Sequence, residues 1–82
     1  MHHVYVLRSP RNGKRYVGLT SKSPKERLKE HNAGLNMWTS HNGPFKLSYS
    51  ETFTDKAEAR RREMFFKSGV GRQQLTQIVN SR

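Results

Sequence analysis

His3-Val4-Tyr5-Val6-Leu7 and Arg15-Tyr16-Val17-Gly18-Leu19-Thr20, joined across Asn12-Gly13, decide the fold of this chain. Asn-Gly between two extended, β-branched runs is a strong hairpin signal, because both residues tolerate the positive φ of a tight primed turn. With Asn12 and Gly13 as the central turn residues, Arg11 lies opposite Lys14, Leu7 opposite Gly18 and Tyr5 opposite Thr20. Opposed residues share a face, and faces alternate along a strand. Tyr5, Leu7, Tyr16, Gly18 and Thr20 therefore line one side, and Val4, Val6, Val17 and Leu19 the other. The aliphatic side reads as core. The other side presents two phenols beside a glycine that leaves room for an approaching group. Pro10 lacks an N–H for the ladder and widens the loop. An even-numbered change of register preserves this facing, whereas an odd bulge reverses it.

Outward from the hairpin, Ser23-Pro24-Lys25-Glu26 is a helix start, with Ser23 as N-cap, Pro24 first in the helix and Glu26 closing a capping box. That helix carries Arg27, Leu28, Glu30 and His31 and ends near Gly34, a left-handed terminator. Residues Leu35 to Pro44 read as a loop holding Met37 and Trp38, whose side chains either cap the core or stack on a base. Phe45 to Phe53 alternates apolar and polar residues, the period of a half-buried strand in which Tyr49 is structural. Asp55-Lys56-Ala57-Glu58 opens a second helix running to about Lys67. Ser68-Gly69-Val70-Gly71 breaks it, and a short last helix from about Arg72 to Val79 packs Leu75, Ile78 and Val79 inward. The expected architecture is α/β (α+β): a three-stranded antiparallel sheet flanked by helices in the order β-β-α-β-α-α, forming one domain over residues 1–82.

Composition restricts the function. Sixteen Lys and Arg against six Asp and Glu leave a net charge of +10 on 82 residues, an excess too large for internal pairing to cancel. Such a surface attracts polyanions, of which a phosphate backbone is the commonest in a cell. A lipid-surface role would call for a basic amphipathic helix with a broad apolar stripe, which no segment offers. An adaptor for acidic proteins has only the charge in its favour. Absence of cysteine excludes disulfides and thiolate metal sites, and four scattered histidines make a poor zinc set. No apolar run reaches membrane-spanning length and no signal-peptide pattern is present, so the expected location is cytoplasmic.

Candidate chemistry follows from helical spacing. Arg27 and His31 are one turn apart on one face. A guanidinium grips phosphate through parallel hydrogen bonds, and an imidazole moves protons; the plainer reading leaves both as solvated surface. Glu26, Asp55 and Glu58 have capping duties, which leaves Glu30, Glu51 and Glu63 for other work. Glu63 has Lys67 one turn on, the spacing of an ordinary intrahelical ion pair or, alternatively, of a carboxylate ligand for a divalent ion.

Taken together these features resemble the GIY-YIG endonuclease family from His3 to about Val79. Val4-Tyr5 matches the end of the first motif, with His3 where glycine is usual; Tyr16-Val17-Gly18 matches the second, with valine for isoleucine. Arg27-Leu28-Lys29-Glu30-His31-Asn32 looks like the family's arginine helix, and Arg61-Arg62-Glu63 before Lys67-Ser68-Gly69 like its metal-binding helix. An asparagine that some relatives carry after the glutamate has no counterpart by position in Gln73, Gln74 or Asn80. The compact length is similar to small stand-alone bacterial members, relatives of nuclease domains in excision DNA repair and branched-DNA cleavage.

The resemblance implies hydrolysis of DNA phosphodiesters with one Mg²⁺ or Mn²⁺ ion. It makes Tyr5 the general base or water-orienting group, Tyr16 a positioning group, Arg27 the stabiliser of phosphoryl charge, His31 a proton-transfer aid and Glu63 the metal ligand. A phenol needs a lowered pKa for that role, and Arg27, Lys67 and the metal are expected to provide it. Arg15, Lys22, Lys46, Arg60, Lys67 and Arg72 are the expected nucleic-acid contacts, to DNA with RNA open. Larger members add a targeting domain for which this chain has no room, so it is read as weakly specific, structure-selective or guided by a protein partner. The alternative is a basic nucleic-acid-binding module that keeps the fold and cuts nothing.

Overall fold

A computed structural model describes residues 1–34 and 41–80. The expected position of Met37 and Trp38 falls outside these residues. Strands β1 (His2–Arg8) and β2 (Arg15–Thr20) are followed by helix α1 (Pro24–Asn32), strand β3 (Lys46–Phe53), helix α2 (Lys56–Lys67) and helix α3 (Gly69–Asn80). The sheet is three-stranded and antiparallel, as the sequence led us to expect, and its strands lie in the order β2-β1-β3.

The hairpin register differs from the two-residue-turn expectation by two. Tyr5 pairs with Gly18, Leu7 with Tyr16 and Arg8 with Arg15. Pro10 is the cause, since the loop closes further out: Ser9 N donates to Lys14 O (2.9 Å) and Gly13 N to Ser9 O (2.8 Å), with Gly13 at φ +74°. Asn12 contributes its side-chain oxygen, which accepts from Lys14 N at 3.0 Å. The shift is even, so the facing of both tyrosines is preserved. His3, where the family pattern has glycine, sits in ordinary paired strand with its Nδ1 3.0 Å from Thr52 Oγ1.

Two cores result, one on each face of the sheet. Val4 and Val6 pack with Ala59 and Phe66 of α2 and Leu75 of α3, joined by Val17, Leu19, Tyr49 and Phe53. On the opposite face Tyr5, Leu7 and Phe45 pack with Tyr16, Leu47 and Leu28 of α1. The tyrosine face is thus roofed by α1 and is not an open platform. Simple alternation in β3 would place Leu47 and Tyr49 together, but the pairing slips between Val6 and Leu7, so Leu7 meets Leu47 while Val6 meets Tyr49. That bulge divides the apolar residues of β3 between the two cores.

Both helix starts follow their local chemistry. Ser23 Oγ accepts from Lys25 N at 3.2 Å and Asp55 Oδ1 from Ala57 N at 2.9 Å. Gly34, at φ +87°, follows the end of α1. Asn32 then ties α1 to the start of β3, donating through Nδ2 to Phe45 O (3.0 Å) and accepting from Phe45 N (2.8 Å). The glycine-rich break is shorter than expected. Only Ser68 lies between α2 and α3, its Oγ accepting from Gly71 N at 3.1 Å. Gly71 is buried inside α3, against the backbone of α2.

Candidate active site

The shifted register brings Tyr5 over Gly18. A Cβ placed on Gly18 would overlap both Cζ and Oη of Tyr5, so the room beside this glycine is filled by the tyrosine ring itself. That ring is fully buried. Its hydroxyl lies 2.9 Å from Nε2 of His31 and 3.4 Å from Nε of Arg27. Arg27 Nη2 is 3.5 Å from the same imidazole nitrogen. Tyr16 stands close by, with ring centroids 6.2 Å from Tyr5 and 4.7 Å from His31. Four of the five expected catalytic residues therefore form one cluster under α1.

The proton positions in the cluster follow from donor counting. A guanidinium only donates, so Arg27 Nε gives a hydrogen bond to Tyr5 Oη. Burial and the Arg27 charge push the His31 pKa down, so the ring is neutral at pH 7. A neutral His31 with its hydrogen on Nδ1 leaves Nε2 to accept the Tyr5 hydroxyl proton. Burial also raises the Tyr5 pKa, outweighing the hydrogen bond and charge of Arg27, with smaller upward contributions from Tyr16 and Glu63. This corrects the expectation of a lowered phenol pKa: desolvation disfavours the phenolate more than one guanidinium favours it.

The depressed His31 pKa sets a pH dependence of stability. Below about pH 6.5 the unfolded chain takes up a proton that the folded ring refuses. Stability is therefore full above that pH and declines as pH falls toward the folded value. Thermal melts between neutral and mildly acidic pH should show this decline for the wild type, and His31→Gln should flatten it.

The fifth residue is placed differently. Glu63 lies on the sheet-facing side of α2, the helix covering the aliphatic face, and is 6 % exposed. Its oxygens accept from Arg60 Nη1 (3.2 Å) and Lys67 Nζ (3.1 Å). The expected intrahelical ion pair is thus present, with a second cation added. Glu63 does not itself line the cavity of about 490 Å³ along β2, but its ion-pair partner Lys67 lines it together with Tyr16.

The other two free acids are committed elsewhere. Glu51 is held by Arg62 Nε (2.9 Å) and Nη2 (3.1 Å) and by Tyr49 Oη (2.6 Å), while Arg62 stacks 4.3 Å above the Phe66 ring. Burial raises the Glu51 pKa, but these bonds outweigh it and hold the carboxyl below the usual range. Glu30 receives Lys22 Nζ at 2.9 Å and pairs with Arg27 Nη1. Among the described residues no three His, Asp or Glu side chains gather as a metal cage. Glu63 fits a different ligand chemistry, since Mg²⁺ commonly takes one protein carboxylate and completes its shell with water and substrate phosphate.

The six expected nucleic-acid contacts divide by location. Arg15, Lys67 and Arg72 line the groove, together with Lys14, which composition and motif gave no reason to select. Lys46 pairs across the sheet with Arg8, itself paired with Arg15. Lys22 and Arg60 are engaged with Glu30 and Glu63. Sequence reading also missed Asn32 as the clamp on β3; its position directly after His31 in the arginine helix was the one signal.

A β-β-α-β-α-α domain with strand tyrosines beneath an arginine-bearing helix is the architecture of a class of nuclease-type hydrolases. The model of the GIY-YIG catalytic domain matches residues 1–75, and this chain belongs to that family. A UPF0213 protein of Clostridium perfringens is 37% identical over 83 residues, covering 100% of this chain and 86% of that protein. One from Bacillus licheniformis is 45% identical over 67 residues, covering 80% and 67% respectively. The solution NMR structure of a UPF0213 protein from Bacillus halodurans has a TM-score of 0.58 at 34% identity, covering 94% of this chain and 83% of that one. Among the described residues no helix is long and apolar enough to cross a membrane.

Proposed function

We propose that this chain is a divalent-metal-dependent endonuclease that hydrolyses DNA phosphodiester bonds, with low sequence specificity or selection by strand structure. The observation that carries the reading is the hydrogen-bonded Tyr5-His31-Arg27 cluster, set beside a groove lined by Tyr16 and by Lys67, the ion-pair partner of Glu63. A net charge of +10 brings the phosphate backbone to it.

Tyr5 acts as a relay rather than as a free phenolate. Its hydroxyl oxygen accepts a proton from the attacking water while its own proton passes to His31 Nε2. The relay thus avoids the unfavourable isolated phenolate. The oxygen that results from the water attacks phosphorus, and the bond to the leaving oxygen breaks. Arg27, the solvent-side member of the cluster, turns from Tyr5 and Glu30 to the phosphoryl oxygens, where charge develops. Tyr16, half-buried between cluster and groove, positions the phosphate. Glu63 would hold one Mg²⁺ or Mn²⁺ ion in exchange for its contacts with Arg60 and Lys67. Such an ion supplies Lewis-acid stabilisation of the phosphate and leaving oxygen.

Glu63→Gln keeps the size of the side chain but removes its charge. It should abolish Mg²⁺-dependent cleavage across single-stranded, duplex, flap and branched oligonucleotides while leaving their binding nearly unchanged. A second reading, a non-cutting basic module on the same fold, draws on the raised Tyr5 pKa and the two cations already on Glu63. It takes over if the wild type cuts none of these substrates with Mg²⁺ or Mn²⁺.

A further inference from the structure

The groove beside β2 has two unlike walls. Lys14, Arg15 and Arg72 supply three positive charges beside Lys67, which is paired with Glu63 at 3.1 Å, and among the described residues no acidic side chain lines the groove. Tyr16 and Val17, both half-buried, supply an apolar floor over the buried Phe66 and Leu75. Arg15 is held toward α3 by its hydrogen bond from Nη2 to Arg72 O at 3.4 Å, so the wall is braced across two elements. Duplex DNA offers a protein surface mainly phosphates and sugars, which gain nothing from an apolar floor. An unpaired nucleotide offers a phosphate and a bare base together, the combination that charged grooves with apolar contacts hold. A cavity of about 490 Å³ lies within the range of sites for single small ligands.

The cationic wall also continues across the sheet. Arg15 pairs with Arg8, and Arg8 with Lys46, a row of three like charges on adjacent strands. Directly opposed like charges disfavour a sheet. Among the described residues no carboxylate is within ion-pair distance of any of the three, so their repulsion is not offset by a paired acid. An anionic strand passing from the groove across this row would offset it.

We propose that the groove lined by Lys14, Arg15, Lys67 and Arg72 is a subsite for one unpaired nucleotide of a nucleic-acid strand, its base against Tyr16 and Val17 and its phosphate on the cations. The inference rests on the nuclease reading for its biological sense, and it makes substrates with an unpaired nucleotide next to the cleaved bond the preferred class.

The test is an NMR titration of the isotope-labelled chain in EDTA, so that no cleavage step enters. Thymidine 5′-monophosphate, deoxyribose 5-phosphate and inorganic phosphate are compared as probes. Stacking of one base predicts that the nucleotide binds about tenfold more tightly than the baseless sugar phosphate. The Val17 methyl and Tyr16 ring signals should move with the nucleotide and stay put with inorganic phosphate. Arg72→Ala, at an exposed helix position, should weaken both sugar-phosphate probes several-fold. Equal affinity with and without the base, or shifts confined to residues outside the groove, overturns the subsite. Because binding is read without metal, a chain that never cuts can still pass this test, and a chain that cuts can still fail it.

Discussion

Tyr5→Phe should slow cleavage by about 10²- to 10⁴-fold, the range associated with loss of a positioned proton-transfer group. The substitution removes one oxygen and leaves the ring that fills the space over Gly18. DNA affinity, set by phosphate contacts elsewhere, should hardly change. The variant also removes the 2.9 Å hydrogen bond to His31 Nε2, a loss of about 0.5–1.5 kcal/mol. Melting therefore has to be followed alongside rate, and assays run well below the variant's midpoint. The pH profile separates a chemical role from a structural one. If neutral His31 receives the Tyr5 proton, the acid limb of wild-type kcat/KM falls below about pH 6.5, because burial and Arg27 depress that imidazole. Retained activity in Tyr5→Phe, or an acid limb above that pH, would remove the relay from the mechanism.

Gly71→Ala should cost at least about 3 kcal/mol, at or beyond the upper end of ordinary overpacking. An added Cβ would overlap the carbonyl carbon and oxygen of Phe65, main-chain atoms of α2 that no rotamer change can move. α3 would have to lift away, taking Leu75 out of the core it shares with Phe66. Gly69 provides the internal contrast. It is in the same helix, and a methyl group added there would meet nothing within 4 Å, so Gly69→Ala should stabilise by about 0.5–1 kcal/mol through reduced chain entropy. Urea unfolding of the two variants side by side checks both signs, and equal effects would mean that α2 and α3 do not touch at Gly71.

These two glycines also mark how far the sequence could be read. Local chemistry was legible: Ser23 and Asp55 cap the helices because each needs only a neighbouring N–H. The strand faces were legible because alternation survives any even register shift. Features set by tertiary packing were not. Gly71 looks like a helix breaker in sequence, and only contact with α2 reveals it as the point of closest approach. The β3 bulge was hidden by the alternation of Phe45, Leu47 and Tyr49 with polar residues. Facing and spacing singled out Tyr5, Tyr16, Arg27 and His31 and the family resemblance gave them roles, but the depth at which α1 buries them was not legible, and that depth reverses the expected direction of the phenol pKa.

The double pairing of Glu63 has one more consequence. A buried carboxylate with no counter-charge is costly, and many metal-dependent folds collapse when their ion is taken away. Here Arg60 and Lys67 neutralise the acid from within its own helix, so the scaffold is complete in its own right. Any cation that Glu63 received would arrive as an exchange partner for Arg60 and Lys67, so self-assembly would not wait on loading.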